Sequence, residues 1–306
     1  MLRFIIRRLL VTIPMILVVI TLTWGLIRLA PGNFYSGEKK IPKAVEKNIR
    51  EKYGLNKPWY VQYGRTMGHI VRLDFGDSLK YQGQSVNTII ARSLPVSATV
   101  GILAYLLALI VGITIGSIAA LKQNSRWDYT SMALAMLGIS IPNFVLGPLL
   151  VLLFSLALYW LPPSRWSGFP SRSVVLPVLT LSAIYMAYIA RLTRAGMLEV
   201  LRSDYIRTAR AKGLRERDVV IRHALRGGIM PVVSFTGPAL AFLLTGTVVV
   251  ERIFALPGLG NYFIQASLNR DEPLILGIVA FIAMTLLIMN LLVDIAYAFL
   301  DPRIRY

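Results

Sequence analysis

The sequence contains no cysteine and little charge. Without cysteine the chain has neither disulfides nor thiolate metal sites. Aspartate, glutamate, lysine and arginine together make up 16% of the 306 residues, whereas about a quarter is usual in a soluble domain. The two histidines, His69 and His223, belong to no cluster and to no H-E-x-x-H motif, so the sequence has no signature of a zinc enzyme or any other metal site.

Motifs for nucleotide binding and covalent chemistry are also missing. The sequence has no G-x-x-x-x-G-K-[ST] phosphate-binding loop, and it lacks even a Gly-Lys pair. A G-x-S-x-G nucleophile elbow is absent as well. We therefore predict a chain that is not an enzyme and binds no cofactor of its own. If it transports a solute, the energy comes from a partner.

The net charge of +18 does not indicate a nucleic-acid-binding protein. Such a protein carries a basic stripe with interleaved aromatic residues on a soluble segment, and none is found here. In a membrane protein, lysine and arginine concentrate in loops that face the cytoplasm and anionic lipid. We therefore interpret the basic residues as loop residues that contact membrane lipid, and we predict no nucleic-acid partner.

Apolar residues are abundant, at 56% of the chain, and they are concentrated in a few long stretches. About 20 apolar residues in a helix cross a hydrocarbon core of roughly 30 Å. Six charge-free runs of at least 18 residues occur, at 9–27, 93–121, 129–164, 173–190, 227–250 and 273–293. The sequence therefore predicts an all-α polytopic membrane protein with six transmembrane helices.

The distribution of basic residues predicts that both termini face the cytoplasm. With that orientation 17 of the 33 lysines and arginines lie on the cytoplasmic side, and 11 of the others fall in the segment 29–92. A loop of more than about 60 residues crosses the membrane largely regardless of its charge. Once this segment is discounted, the cytoplasmic side is clearly the more basic one.

Four regions follow from this topology. Residues 1–30 form the first transmembrane helix, and 31–93 a small periplasmic segment of short helices and loops. Residues 94–300 form a domain of five helices with a cytoplasmic loop at 198–230. Residues 301–306 form a cytoplasmic tail.

The run 129–164 is too long for one simple span, and glycine and proline interrupt it. We predict a short helix, a break near Ile141-Pro142-Asn143, and then a full crossing. Irregular backbone at membrane depth is tolerated where protein or a watery cavity satisfies it. Ser140, Pro142 and Asn143 are therefore candidates for lining a pathway, although a break that only serves packing fits equally well.

The predicted spans are nearly free of charge, which disfavours a stand-alone secondary transporter, because such proteins carry ionisable residues in their spans. The charged residues nearest the apolar core lie at span ends, where long side chains reach the interface. They are Arg28, Arg191, Arg194, Glu251, Arg252 and Asp294. Glu251 and Arg252 are interpreted as gate residues or, slightly preferred, as interface anchors.

The cytoplasmic loop from Glu199 to Pro231 is predicted to form two short helices. Ser203 or Asp204 caps the first helix, and Gly213 ends it in the left-handed conformation. Small residues within the first helix, surrounded by basic ones, would let a partner approach the backbone closely. Two interpretations stay open: a solvated, positively charged loop that holds the topology, and a docking element for another protein.

Motifs in this loop resemble a known family. T-A-R-A-K-G at 208–213, R-H-A-L at 222–225 and then Pro231 are similar to the coupling motif of binding-protein-dependent ABC importer permeases. Arg207 and Thr208 replace the usual Glu and Ala, and 17 residues separate Gly213 from Pro231. Both departures are typical of the oligopeptide/dipeptide/nickel subgroup. Further matches are R-R-L-L…I-R-L-A-P-G near the start, Y-G-L-N-K-P, D-F-G-D-S, E-R-I-F with L-P-G-L-G, and D-P-R at the end.

The resemblance implies a type I ABC importer permease fold in the bacterial inner membrane. It implies import of oligopeptides or dipeptides, with nickel chelates or another small solute as the alternative. The implied partners are a second homologous permease in a heterodimer, two cytosolic ATPase subunits that hold ATP and magnesium, and a periplasmic or lipid-anchored peptide-binding protein.

The resemblance also implies roles for particular residues. The coupling helix, which lies in a groove of one ATPase, comprises Tyr205, Arg207, Thr208, Ala209, Arg210, Ala211, Lys212, Gly213 and Leu214. In it, Arg210 and Lys212 face the ATPase or anionic lipid. The periplasmic mouth, near the binding protein, comprises Glu251, Arg252, Pro257 and Gly258.

Overall fold

A computed structural model describes residues 2–29, 47, 51, 54, 56–163, 165–244 and 248–300. Most of the predicted periplasmic segment before residue 54, and the predicted tail 301–306, lie outside these residues. The described residues are mainly helical, which confirms the all-α prediction, and they include an isolated β-bridge between Asp77 and Ser85.

The helices follow one another in a simple order. They are α1 (Leu2–Leu29), α2 (Trp59–Val71), α3 (Val86–Leu121), α4 (Arg126–Ser140), α5 (Asn143–Val151), α6 (Val175–Leu201), α7 (Asp204–Ala211), α8 (Glu216–Asp218), α9 (Leu225–Gly228), α10 (Met230–Leu244), α11 (Val248–Ile253), α12 (Leu259–Asn269) and α13 (Glu272–Leu300). One turn of 3₁₀-helix, Arg172–Val174, precedes α6. Wider π-helical turns, Leu152–Ala157 and Val219–Ala224, follow α5 and α8.

Within the described residues, four helical stretches are long and apolar enough to cross a membrane. They are Val86–Leu121, Arg172–Leu201, Met230–Ile253 and Glu272–Ile295, and the bent pair formed by α4 and the helix after it raises the number to five. The apolar part of α1, Ile13–Leu29, is shorter than these spans. The count of six and the orientation of the termini therefore stay predictions.

The predicted break in the run 129–164 is confirmed. Ile141 and Pro142 adopt extended conformations between α4 and α5, because proline disfavours helical geometry at the residue before it. The helix before the break and the helix Asn143–Ala157 after it are bent by 101°.

The chain divides into two compact units. The first comprises Met1–Pro95 and Pro257–Leu287, and the second comprises Val96–Leu256 and Ile288–Tyr306. In the first unit, Ile20 and Trp24 of α1 pack with Ile70 of α2 and with Leu276 and Ala280 of α13. These apolar contacts hold α2 against α1 and the first turns of α13.

A buried carboxylate holds the polar segment before α3 within the same unit. Asp271, which precedes α13, is fully buried. It accepts hydrogen bonds from the hydroxyl of Ser78 and from the backbone N–H groups of Leu79 and Lys80, both at 3.1 Å. It also caps α13 by accepting from the N–H of Leu274 at 3.3 Å. We call this arrangement the Asp271 clasp.

In the second unit an ion pair joins α4 to α6. Arg194 donates to both carboxylate oxygens of Asp128, each at 2.7 Å, and Asp128 is buried. Asp128 also accepts from the N–H of Asn124 at 3.0 Å. The guanidinium of Arg194, which the sequence places at a span end, is therefore held by a neighbouring helix.

Candidate functional site

In the loop from Glu199 to Pro231, which is predicted to be cytoplasmic, α7 has one apolar and one polar face. In α7, Ile206 and Ala209 are buried, three residues apart and so on one side of the helix. They belong to a core cluster with Met197 of α6 and with Val219 and Ala224 of the following turn. Ala209, one of the predicted coupling residues, is thus buried, and its methyl group packs on the chain itself.

The opposite face of α7 is exposed, and most of the predicted coupling residues lie on it. Arg207 makes an ion pair of 3.4 Å with Asp204, and the Thr208 hydroxyl donates to the carbonyl of Asp204 at 2.9 Å. Tyr205 and Leu214 present large apolar surfaces that are 50% and 42% exposed. The remaining exposed members are Ala211, Lys212 and Gly213.

The predicted left-handed end of α7 is confirmed. Gly213 has a φ of +76°, and a Cβ built at this residue would meet no atom within 4 Å. Glycine is therefore required here for its backbone conformation and not for space. The N–H of Lys212 donates to the carbonyl of Thr208 at 3.0 Å, which closes the last turn.

Arg210 is paired within the loop. Its guanidinium donates to both carboxylate oxygens of Glu216, at 3.2 and 2.7 Å, which ties the end of α7 to α8. Hydrogen bonds from Arg210 lower the pKa of the Glu216 carboxyl below its usual value of 4.5. Of the two cations predicted to face a partner, Arg210 thus makes an intramolecular contact.

The lowered pKa of Glu216 gives a test by pH. A carboxyl with a depressed pKa in the folded state stabilises that state above its unfolded pKa, and this contribution is lost as the pH falls through the folded value. Protection of residues 210–218 against hydrogen exchange should therefore be constant between pH 7 and pH 5 and fall in acid, once the intrinsic pH dependence of exchange is removed. Glu216→Gln should reduce this protection by about 0.3–1 kcal/mol at neutral pH, since the pair is exposed, and its difference from the wild type should vanish in acid. A pH response retained in Glu216→Gln would contradict the assignment.

The second half of the loop contacts α6 closely. A Cβ on Gly196 of α6 would overlap the carbonyl oxygen of Gly228 in α9, and a Cβ on Gly228 would lie 2.7 Å from Sδ of Met197. The loop therefore rests on α6 by direct backbone contact. The π-helical turn Val219–Ala224 lies between this contact and α8, in a position where such wider turns often mark functional segments.

The residues at the break of the α4–α5 pair are partly exposed. The Ser140 hydroxyl donates to the carbonyl of Met136 at 2.9 Å, so its polarity is satisfied within its own helix. Asn143 opens α5, and within the described residues its side-chain amide has no hydrogen-bond partner. This placement leaves Asn143 the better of the two polar candidates for pathway lining.

The preference for Glu251 as an interface anchor is wrong. Its side chain is 3% exposed and accepts a hydrogen bond of 2.7 Å from the Ser97 hydroxyl of α3. Its neighbour Arg252 is exposed. A turn lies at Phe254 and Ala255, and Ala255 has a φ of +49°.

Pro257 and Gly258, which were assigned to the periplasmic mouth, precede α12, and Gly258 adopts an extended conformation as the N-terminal cap of that helix. Proline and glycine next to each other signal a change of direction, but the position that carries the left-handed conformation is an alanine three residues earlier.

Sequence reasoning missed three residues that organise these regions. No motif surrounds Asp271, Glu216 or Ser97. For Glu216 a signal exists, because it lies six residues after Arg210 across a glycine turn. The partners of Asp271 and Ser97 are 193 and 154 residues away in the chain, where no local pattern reaches them.

Two family models match all of the chain except residues 102–111. Residues 112–306 match the model described as "Binding-protein-dependent transport system inner membrane component", and residues 1–101 match the model of its N-terminal region. The chain is 47% identical over 306 residues, with full coverage of both chains, to the oligopeptide transport system permease protein OppB of Escherichia coli K12. It is 44% identical over 305 residues to the dipeptide transport system permease protein DppB of Bacillus subtilis, covering 100% of this chain and 98% of the other.

Solved structures show the fold independently of these relatives. An inward-facing form of the MetNI methionine ABC transporter matches with a TM-score of 0.59 at 14% identity, covering 70% of this chain and 96% of the other. A second crystal form of that transporter matches with a TM-score of 0.54 at 17% identity, covering 71% and 97%. The shared fold is that of the permease subunits of type I importers.

Proposed function

The chain belongs to the binding-protein-dependent transport system inner membrane components, and from this premise we propose that it translocates short peptides. As a permease subunit of an ABC importer it lies in the bacterial inner membrane, and ATP is hydrolysed by partner subunits. This excludes the stand-alone secondary transporter. The observation that carries the peptide assignment is the 47% identity to OppB over the full length of both chains.

The proposed assembly has four kinds of component. A permease, an ATPase and a substrate-binding protein are general partners of this family. We propose that the second permease is a different, homologous chain, that two ATPase subunits bind one coupling loop each, and that the binding protein delivers a peptide to the side opposite the loop. Residues Glu251, Arg252, Pro257 and Gly258 are proposed to lie at that opposite mouth.

The coupling step is proposed to act through α7. Its exposed face, with Tyr205, Arg207 and Lys212, would lie in a groove of one ATPase. Its buried face, with Ile206 and Ala209, packs on the chain, so a displacement of α7 is passed to α6. Closure of the ATPase pair on ATP would then switch the permease between two states, since the nucleotide binds the closed pair preferentially.

The Gly213→Asp variant tests this role. An aspartate tolerates φ +76° about as well as an asparagine does, but it places a negative charge in a basic loop. We expect normal membrane insertion but a large loss of ATP-driven uptake and of co-purifying ATPase. Gly213→Asn is the matched control, because asparagine tolerates this conformation without a charge and should retain most activity. Wild-type uptake in Gly213→Asp would refute the coupling role.

The substrate class is tested separately. The complex, reconstituted in liposomes with its binding protein and ATP, should take up radiolabelled tri-alanine. A nickel–histidine chelate should not compete. Uptake of the chelate without uptake of any peptide of two to five residues would replace the peptide assignment by the nickel alternative.

A further inference from the structure

The first unit contains a cleft that the transport function does not account for. Its walls are the last turn of α1, one face of α2, the segment 74–79 and the first turn of α13. The cleft has a volume of about 360 Å³, which falls within the range of roughly 300–1,000 Å³ of small-molecule sites. Apolar side chains, among them Ile70, Phe75 and Leu276, form part of the lining.

The charged residues of the lining are balanced. Three are cationic and three are anionic, namely Arg28, Lys57, Arg65, Asp74, Asp77 and Glu272. A simple anion bound here would face three carboxylates, and a simple cation would face three basic groups. A ligand that carries both charges avoids this electrostatic repulsion, because each of its charged ends can contact lining residues of the opposite charge.

Several of these charges already have intramolecular partners. Arg28 lies 4.1 Å above the ring of Trp24 and donates to the side-chain oxygen of Gln62. The Asp74 carboxylate lies 3.3 Å from Nδ1 of His69 and accepts from the N–H of Gly76 at 3.1 Å. These contacts fix two walls of the cleft before any ligand arrives.

Three other charges are left available. Within the part of the chain that the structure describes, neither the ammonium of Lys57 nor the guanidinium of Arg65 forms an ion pair. Of the described residues, none donates a hydrogen bond to the carboxylate of Glu272. Its nearest cation is Arg28, at 3.9 Å and so beyond hydrogen-bond distance. The side chain of Glu272 is 22% exposed, so a ligand in the cleft can reach it.

We propose that this cleft binds a small zwitterion with a primary ammonium group. The ammonium donates to the Glu272 carboxylate, the anionic oxygens contact Arg65 and Lys57, and the carbon skeleton lies against Ile70, Phe75 and Leu276. Two sources carry this chemistry: a free short peptide and the ethanolamine headgroup of a phospholipid. The inference goes beyond the proposed function, because the cleft can hold its ligand whichever solute is transported.

The absence of cysteine allows a direct test by thiol labelling. In Thr66→Cys the new thiol lines the cleft. In the matched control Gly64→Cys it lies on the same helix outside the cleft, at a position where a Cβ meets no atom within 4 Å. The complete membrane complex is placed in nanodiscs of phosphatidylcholine and phosphatidylglycerol, and the rate at which this chain reacts with a maleimide is measured.

Tri-alanine should slow labelling of Thr66→Cys and leave Gly64→Cys unchanged. N-acetyl-tri-alanine lacks the ammonium group and tri-alanine amide lacks the carboxylate, so each should protect at least about tenfold more weakly, as expected for the loss of a charged hydrogen-bond partner. Adding Glu272→Gln should abolish the preference for the free ammonium, whereas Glu199→Gln, at an exposed site elsewhere, should not.

A lipid ligand is distinguished from a peptide ligand by changing only the lipid composition of the nanodisc. If phosphatidylethanolamine fills the cleft, it should slow labelling of Thr66→Cys without peptide, and this effect should also require Glu272. Protection that depends on Glu272 with either ligand supports the site and names its source. The proposal is overturned if neither ligand protects Thr66→Cys, or if protection is the same in Glu272→Gln. ATP-driven uptake, measured on the same preparations, reports on the transport function separately.

Discussion

Replacing Asp271 with alanine is expected to release the segment that contains Ser78 from the start of α13. Four hydrogen-bond donors lose their acceptor at once: the Ser78 hydroxyl and the N–H groups of Leu79, Lys80 and Leu274. A buried donor left without a partner costs about 1–3 kcal/mol. Because water will reach some of these groups, we expect a total loss of about 3–5 kcal/mol from the stability of this unit.

The variant would be examined by thermal unfolding of the purified complex and by proteolysis within residues 72–85. Asp271→Asn keeps one acceptor oxygen, so it should lose less stability than alanine. The control is Asp204→Ala, since the side chain of Asp204 is 96% exposed and its removal should cost no more than about 0.5 kcal/mol. Equal melting temperatures and equal cleavage rates for Asp271→Ala and Asp204→Ala would show that the clasp contributes nothing.

Residues in the first unit also explain why the predicted start of one helix differs from the observed start. The predicted domain of five helices starts at residue 94, next to the beginning of the charge-free run 93–121, but α3 begins at Val86. The Ser85 hydroxyl accepts from the N–H of Thr88 at 3.1 Å and so caps α3. An exposed arginine at position 92 ends the apolar run without ending the helix.

Local chemistry made other features predictable. Pro142 breaks the helix between α4 and α5 whatever the tertiary structure around it. Gly213 ends α7 because this position needs a residue that adopts the left-handed conformation. Both effects depend on one or two residues of backbone geometry. The amphipathic character of α7 could also be predicted from the sequence, since Ile206 and Ala209 are three residues apart among charged neighbours.

Features that depend on residues far apart in the chain could not be predicted from the sequence. Glu251 was placed at an interface because it ends an apolar run, yet it is buried against Ser97. Nothing near Ser97 distinguishes it from other serines on apolar helices. Buried polar pairs of this kind are formed by the packing of helices, and the sequence alone does not specify which side chains meet.

Replacing Gly196 with valine should uncouple the loop that contains α7 to α9 from α6. Even one added carbon at Gly196 would overlap the carbonyl oxygen of Gly228, and it would lie 3.3 Å from Cδ of Pro231. Backbone atoms cannot move aside as a flexible side chain does, so α6 and α9 must separate. Overpacking of this kind costs about 1–3 kcal/mol, and we expect the upper part of that range because the contact is with backbone.

The expected phenotype follows from the position of this contact. Met197, next to Gly196, packs with Ile206 and Ala209 of α7, so separation of α9 from α6 also weakens the packing of α7, the proposed coupling helix. We expect Gly196→Val to insert in the membrane and to bind its partner subunits, but to hydrolyse ATP without peptide uptake. Gly196→Ala should show the same defect in milder form, because alanine carries only the first of the added carbons.

Gly68→Val provides the matched control, because Gly68 also lies within a helix and a Cβ there meets no atom within 4 Å. It introduces the same side chain and the same helix propensity change, so any difference between the two variants reports on the contact with Gly228. Uptake and ATP hydrolysis would be measured side by side in liposomes. If Gly196→Val retained the ratio of peptide taken up to ATP hydrolysed that Gly68→Val shows, the backbone contact between α6 and α9 would not transmit the motion of the loop.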